Sequence, residues 1–417
     1  MESATQSPPI KRRSSLRIII ALAALAAIGA LIAERKTRPT LTYGPMVQIP
    51  EPGALTIVWG MDAVFPGGSV WLRTAPDQTL TGSGRCANGR CEVSFKGLEP
   101  GRAYPYEIAN DRLIFGSTKL AGPYEAKPAL PRGRPFRFAA FGDSGNGSNT
   151  QTEFARRIAA SKPDVIIHVG DLVYPAGALD TYDTHFFGPN AEMIRTAPFM
   201  ASLGNHDVAT EKGAPLLEVF VAPRNGPEGI EPERNYWFDY GDARFVALDS
   251  NLEQEAGAIT KEQMKNIVAP WLRRVLTETD AKWKFVFFHH VFYTGSTHPP
   301  EGGAHMKEAF LSVFEECGVD VVFCGHNHLY ERTAPLRGDQ VVPDGKGIVY
   351  ITTGCGGVSR YAEIQPPPKY MRAYNHEVFS FTQVDLSATR FEMKQIDENG
   401  KVIDEYTINK PEAQVAN

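Results

Sequence analysis

Beyond residue 135, five short apolar runs each end in a loop dense in Gly, Asp, Asn and His, and this repetition restricts the fold more than any other feature. The loops read GDSG at 142–145, GDLVY at 170–174, GNHD at 204–207, VFFHH at 286–290 and GHNH at 325–328. Helical patterns lie between the runs. Thr150 with Glu153 predicts a capping box for a helix that presents Phe154 and Ile158 and stops at Pro163. Met306, Phe310, Val313, Phe314 and Cys317 recur at helical spacing up to Gly318, a C′ residue, and the strand VDVVF follows at once. Strand, helix, strand in repetition predicts an α/β unit with a largely parallel inner sheet. The carboxyl ends of such strands open on one crevice, so loops distant in sequence can meet there. Taken singly, each loop is an ordinary turn. Five in register at strand ends supply mixed oxygen and nitrogen donors without cysteine, a set suited to Zn, Mn or Fe.

The N-terminus points to export. Lys11, Arg12, Arg13 and Arg17 precede an uncharged run of 16 residues, IIIALAALAAIGALIA at 18–33, which Glu34, Arg35, Lys36 and Arg38 close. That length is near the lower limit for crossing a hydrocarbon core of ~30 Å. Residues 1–40 are therefore read as a basic cytoplasmic segment and a transmembrane anchor, oriented by the leading positive charges. Ala27 and Gly29 leave the alternative of a cleaved signal and a secreted or periplasmic product. Residues 1–39 hold seven of the 43 Lys and Arg and two of the 48 Asp and Glu, so the remainder carries a formal charge of −10. An acidic body excludes a groove for nucleic acid.

Residues 41–122 show a different rhythm. LTIVW at 55–59, SVWLR at 69–73, CEVSF at 91–95 and YPYEI at 104–108 are short β-rich runs separated by turn residues, the pattern of a β-sandwich. Cys86 and Cys91 bracket Asn88-Gly89, the preferred centre of a type I′ hairpin, which permits a disulfide without requiring it. Cys317, Cys324 and Cys355 read as buried thiols. The stretch from Leu98 to Tyr104 resembles the tyrosine corner of fibronectin type III domains. Residues 123–135 read as a Pro- and Gly-rich linker, and 136–410 as the α/β domain. Its end, from about 377 to 408, returns to alternating β with an Asn399-Gly400 hairpin, an antiparallel margin.

The order GDxG, GDxxY, GNH, VxxH, GHxH over residues 134–395 resembles that of the calcineurin-like metallophosphoesterases. Tyr174, three residues after Asp171, and the extended GHNHLYERT resemble the purple acid phosphatase branch. The resemblance implies a metallophosphoesterase β-sandwich flanked by helices and preceded by the fibronectin type III-like domain. It also implies a binuclear metal centre. Asp143, Asp171, Tyr174 and His328 would hold Fe(III), and Asp171, Asn205, His289 and His326 would hold Zn(II), Fe(II) or Mn(II), with Asp171 bridging. Hard anionic donors suit the trivalent ion, and a strongly charged cation would keep the Tyr174 phenolate ionised. The implied activity is hydrolysis of small phosphate monoesters, metal-activated hydroxide attacking phosphorus in line. His206 and His298 would contact the phosphoryl group and protonate the leaving alkoxide.

Two departures from the family pattern stand out. His289 is followed by His290-Val291 where the family commonly has a proline, which leaves open which histidine coordinates. GNHD replaces the commoner GNHE, which bears on substrate contacts. Two other readings are a phosphodiesterase with two divalent ions, Tyr174 merely packing, and an inactive extracytoplasmic binding module. His168 reads as a core residue, and His185, His305 and His376 as solvent-exposed.

Overall fold

The computed structural model describes residues 19–29, 32, 40–62, 67–110, 117–298 and 302–411. The basic flanks of the N-terminal apolar run lie outside these residues. Residues 19–29 are helical, and Ile19, Ile20, Leu22, Leu25 and Ile28 are all exposed. Among the described residues, no helix is long and apolar enough to cross a membrane.

The N-terminal region is all β. Its strands are β1 (Thr40–Glu51), β2 (Ala54–Asp62), β3 (Gly68–Ala75), β4 (Gln78–Ala87), β5 (Arg90–Lys96), β6 (Tyr104–Asn110) and β7 (Thr118–Ala126). They pair antiparallel in the order β1-β2-β5-β4-β3-β6-β7. Alternate residues turn inward, so that Ile57, Trp59, Val70, Leu72, Tyr106 and Ile108 share one apolar core. At the β4–β5 turn Asn88 and Gly89 adopt φ of 52° and 80°, the left-handed pair that a type I′ turn needs. Cys86 is thereby set opposite Cys91, and the two are disulfide-bonded. The Tyr104 hydroxyl accepts the Glu99 N–H at 2.9 Å, bracing the β5–β6 corner. β7 continues through Pro123 to Ala126, so the first residues of the stretch read as linker are strand.

The α/β region has β8 (Phe136–Phe141), β9 (Val165–His168), β10 (Phe199–Ala201), β11 (Tyr236–Tyr240), β12 (Ala243–Ala247), β13 (Trp283–Phe287) and β14 (Val321–Cys324). There follow β15 (Tyr330–Thr333), β16 (Leu336–Arg337), β17 (Gln340–Val341), β18 (Val349–Thr353), β19 (Met371–Asn375), β20 (Ser380–Leu386), β21 (Arg390–Asp397) and β22 (Val402–Asn409). Local pattern alone predicts one largely parallel sheet, whereas the two mixed sheets, ordered β10-β9-β8-β20-β21-β22 and β11-β12-β13-β14-β18-β15-β19, are those of the β-sandwich that the family resemblance implies. Parallel pairing runs through β10-β9-β8 and through β12-β13-β14-β18. The C-terminal hairpins supply the antiparallel margin through β20, β21 and β22.

The sheets face each other across an aromatic core. Phe138 of one meets Phe245 and Phe323 of the other edge-on, at 5.2 and 5.7 Å between ring centroids. Helices cover the outer faces, Asn149–Ala160 on the first sheet, Ala269–Thr277 and Gly303–Cys317 on the second. The first of these starts two residues earlier than the capping box predicts. Ser148 retains extended backbone and its hydroxyl accepts the Gln151 N–H at 3.1 Å, which draws Thr150 inside the helix. Gly318 closes the last helix at φ 69°, as its sequence position implies.

The two regions pack together. Arg90 of β5 donates to the carbonyls of Leu217, Glu218 and Phe220 at 2.8–3.1 Å. Tyr106 donates to the Arg195 carbonyl at 2.9 Å, and Tyr43 stacks on Phe187.

Candidate metal centre

Each of the five polar loops leaves the carboxyl end of a parallel strand: GDSG after β8, GDLVY after β9, GNHD after β10, His289-His290 after β13 and GHNH after β14. Backbone hydrogen bonds lace them together. The Asp143 N–H reaches the Gly170 carbonyl at 3.1 Å, Ser144 that of Asp171 at 3.3 Å, and Gly325 that of His289 at 2.9 Å. Asp143, Asp171 and His326 are held at φ of 55°, 57° and 66°. Left-handed backbone at non-glycine residues costs on the order of 1 kcal/mol or more each and persists where surroundings over-determine it. Two glycines make room for the carboxylates. A Cβ on Gly204 would stand 2.1 Å from Asp171 Oδ1, and one on Gly325 would stand 2.5 Å from Asp143 Oδ2.

The seven residues read from the sequence as ligands converge. Tyr174 donates to Asp171 Oδ2 at 2.8 Å, and its hydroxyl lies 3.4 Å from Asp143 Oδ1 and 3.2 Å from His328 Nε2. On the other side, His289 Nε2 and His326 Nδ1 approach Asn205 Oδ1 at 2.9 and 3.0 Å and lie 3.3 Å from each other. Asp171 Oδ2 joins the halves, 3.3 Å from His289 Nε2. One donor atom each from Asp143, Asp171 and His289 falls within 4.8 Å of the others, a group able to hold an ion.

Hydrogen bonds behind the cluster aim its rings. His289 Nδ1 meets the Val169 carbonyl at 2.9 Å, and His328 Nδ1 meets Ser359 Oγ at 3.0 Å. Each ring thus presents Nε2 inward. Burial raises the Asp143 carboxyl above the usual range, against the pull of His289 and His328. At Asp171 burial acts the same way but His289 and His206 outweigh it, leaving the carboxylate well below that range. Burial, then Asp171 and Asp143, push the Tyr174 phenol well above its ordinary value. A buried pair of carboxylates, a phenol and converging imidazole nitrogens is an arrangement that cations stabilise, so these residues fit a metal pair.

His206 and His298 flank the cluster. His206 packs on the Tyr174 ring at 4.2 Å, with Nδ1 against the Pro175 carbonyl. The His298 ring lies 5.4 Å from His326. His289 faces the cluster, whereas His290 is buried behind it with Nδ1 on Ser250 Oγ at 2.8 Å, and burial lowers its pKa to about 3. Asp207 is fully buried and accepts the N–H groups of Leu172 and Gly204, both at 2.9 Å. It therefore ties two loops together. His168 is a core residue, with Nε2 on Ser144 Oγ. His185, expected in solvent, is half-buried on the Tyr174 carbonyl at 2.8 Å.

Residues 136–330 match the family of calcineurin-like phosphoesterases, and residues 347–405 match the iron/zinc purple acid phosphatase-like protein C domain. The chain belongs to the purple acid phosphatase branch of the calcineurin-like phosphoesterases. Its family relatives are diverse in their names. It is 25% identical over 371 residues to the "Probable inactive purple acid phosphatase 27" of Arabidopsis thaliana, covering 76% of this chain and 57% of that protein. It is 28% identical over 356 residues to the "Nucleotide pyrophosphatase/phosphodiesterase" of Hordeum vulgare, covering 72% and 90%. The fold is similar to that of a purple acid phosphatase from yellow lupin (Lupinus luteus) seeds, with a TM-score of 0.75 at 19% identity over 91% of this chain and 78% of that one.

In this family member a sixth loop also reaches the cluster. It follows β18, reads GCGGVS at 354–359, and a Cβ on Gly354 would stand 2.9 Å from Asp143 Oδ2. Beyond it Tyr361 stacks on both His328 and His298, at 4.2 and 4.6 Å. Ser359 and Tyr361 carry no signal in the sequence because neither lies in a loop with Asp, Asn or His. The repeated glycines directly after the strand VYITT were the available signal.

Proposed function

We propose that the chain is a phosphate-ester hydrolase of the acid phosphatase type, acting on small monoesters through a binuclear metal centre. The convergence of Asp143, Asp171, Tyr174, Asn205, His289, His326 and His328 at the strand ends carries the reading. Asp143, Asp171, Tyr174 and His328 would hold Fe(III), the side rich in anionic donors. Asp171, Asn205, His289 and His326 would hold Zn(II), Fe(II) or Mn(II), the side of neutral donors. When bound, the metal pair supplies Lewis acidity and a nucleophile drawn from water at acid pH. His206 and His298, on either flank, bind the phosphoryl oxygens and deliver a proton to the departing alkoxide.

The test is metal analysis and the visible spectrum of the purified chain, with turnover of a monoester against a diester. Stoichiometric iron, a purple or pink colour and monoester preference are expected. A colourless, iron-free and fully active protein overturns the Fe(III) assignment. Diester or pyrophosphate preference is the second reading, favoured by the name of the Hordeum vulgare relative.

We further propose that residues 41–122 form a fibronectin type III-like domain, on the support of the Tyr104 corner. Residues 18–33 would anchor the chain in a membrane with the hydrolase outside the cytoplasm, on the support of the uncovered side chains of Ile19, Ile20, Leu22, Leu25, Ile28 and Ile32. Retention of the chain in carbonate-washed membranes, lost when residues 1–39 are deleted, checks the anchor.

A further inference from the structure

The motif GHNHLYERT has a second face. His326 and His328 turn to the cluster, while Asn327 and Glu331, both buried, turn to the loop that carries His298. Asn327 Nδ2 donates to Thr294 Oγ1 at 2.7 Å. Glu331 reaches from β15 to accept the Gly295 N–H on one carboxylate oxygen, and its other oxygen is buried without a hydrogen-bond partner. The loop is gripped from outside as well. Tyr370 donates to the Thr294 carbonyl at 3.0 Å, Ile364 N–H to the Gly295 carbonyl at 2.6 Å, and Thr297 N–H to the Ala362 carbonyl at 2.9 Å. A half-satisfied buried carboxylate is costly to keep in a fold, and nothing in metal binding uses it.

We propose that Glu331, assisted by Asn327 and Tyr370, is a positioning residue for His298, fixing the proton donor relative to the metal ligands on the same motif. The inference rests on the role given to His298 above. A general acid matters most when the leaving group is poor, which separates positioning from general structural damage.

Purified Glu331→Ala, Glu331→Gln, Tyr370→Phe, His298→Ala and the His298→Ala/Glu331→Ala double variant would be assayed on an alkyl phosphate and on p-nitrophenyl phosphate. His298→Ala should lose ~100-fold or more in kcat on the alkyl ester and far less on the nitrophenyl ester. Glu331→Ala should show the same selectivity at about 10-fold, with KM and metal content unchanged. Glu331→Gln, which keeps an acceptor for Gly295, should retain activity. The double variant should be no worse than His298→Ala. In metal-free protein, amide exchange at 294–298 should quicken in Glu331→Ala while 326–333 stays protected.

Equal losses on both esters, or additivity in the double variant, overturn the positioning role. Should Glu331→Ala fail to fold, Tyr370→Phe decides on the same substrate pair. His298→Ala without leaving-group selectivity overturns the proton-donor reading and this inference together, whereas selectivity in His298→Ala alone overturns only the inference.

Discussion

The N-terminal β region and the α/β region bury similar apolar side chains but differ in the polar groups they take inside. Among the described residues between 40 and 126 the buried polar side chains are Gln48, Thr56, Ser69 and Asn110, all uncharged. The α/β region buries Asp143, Asp171, Asp207, Asp249 and Glu331, the histidines 168, 289, 290, 326 and 328, and Arg234, Arg244 and Arg332. Removing an ion from water costs several kcal/mol unless a partner compensates. Some of these groups have one, as Arg234 has Asp249 at 3.1 Å and Arg332 has Asp404. The cluster at the strand ends has no lysine or arginine among its seven members, an arrangement that a bound cation would stabilise. Buried charge suits the α/β region to the chemistry proposed above and leaves the β region a mechanical role.

The sharpest test is Asp171→Asn. Asp171 joins the two halves of the cluster, accepting from Tyr174 on one side and lying 3.3 Å from His289 Nε2 on the other, so the substitution should remove bound metal and lower phosphatase activity by on the order of 10³-fold or more. The two readouts are metal content and kcat/KM. Activity near the wild-type level would place the chemistry elsewhere and end the comparison. Next in size, Tyr174→Phe should bleach any visible absorption and loosen the ion beside Asp143 by roughly 10- to 100-fold, an effect comparable to those of other supporting groups at metal sites. Titration of the apoprotein with iron measures the second effect. Retained colour would remove the phenol from the metal.

The candidate ligands are legible in the sequence because loops dense in Asp, Asn and His recur at five strand ends. GHNH or GNHD alone would have been a turn. What the sequence left hidden depends on pairing across the chain. Parallel pairing of β14 with β18 brings the loop after Thr353 to the cluster, yet Ser359 and Tyr361 carry no metal signature. The division of the α/β region into two sheets follows from the family resemblance and from no local pattern. β8 pairs with β20 across more than two hundred residues, and no local periodicity reports that. In the β region the reverse held. Asn88-Gly89 sets a hairpin by local turn geometry, and turn chemistry alone is enough to put Cys86 opposite Cys91. The start of the helix at Asn149 fell between, since Ser148 and Thr150 are both competent caps and only the backbone decides.

Two smaller effects sharpen the mechanical side. Arg90→Ala removes a guanidinium that donates to the carbonyls of Leu217, Glu218 and Phe220 in the α/β region. Hydrogen bonds from a charged donor contribute about 1.5–3 kcal/mol, so the unfolding free energy from urea titration should fall by that order while turnover per folded molecule holds. A loss of bound metal in Arg90→Ala would mean that the β region shapes the site and does more than support it.

The smallest effect belongs to the Cys86–Cys91 disulfide. It closes a loop of only a few residues, and the chain-entropy estimate for so short a loop is about 2 kcal/mol. The Asn88-Gly89 turn favours the same approach in the unfolded chain, so opening the disulfide frees it less than the estimate assumes, and Trp59, Val93 and Phe95 keep the folded strands in one core. The double substitution Cys86→Ala/Cys91→Ala should therefore lower stability by no more than ~2 kcal/mol in denaturant titration, with metal content and kcat unchanged. A larger loss would show that the β4–β5 hairpin depends on its covalent link more than on its turn. A change in kcat would show that the hairpin, which passes Arg90 to the α/β region two residues after the turn begins, transmits strain to the strand ends.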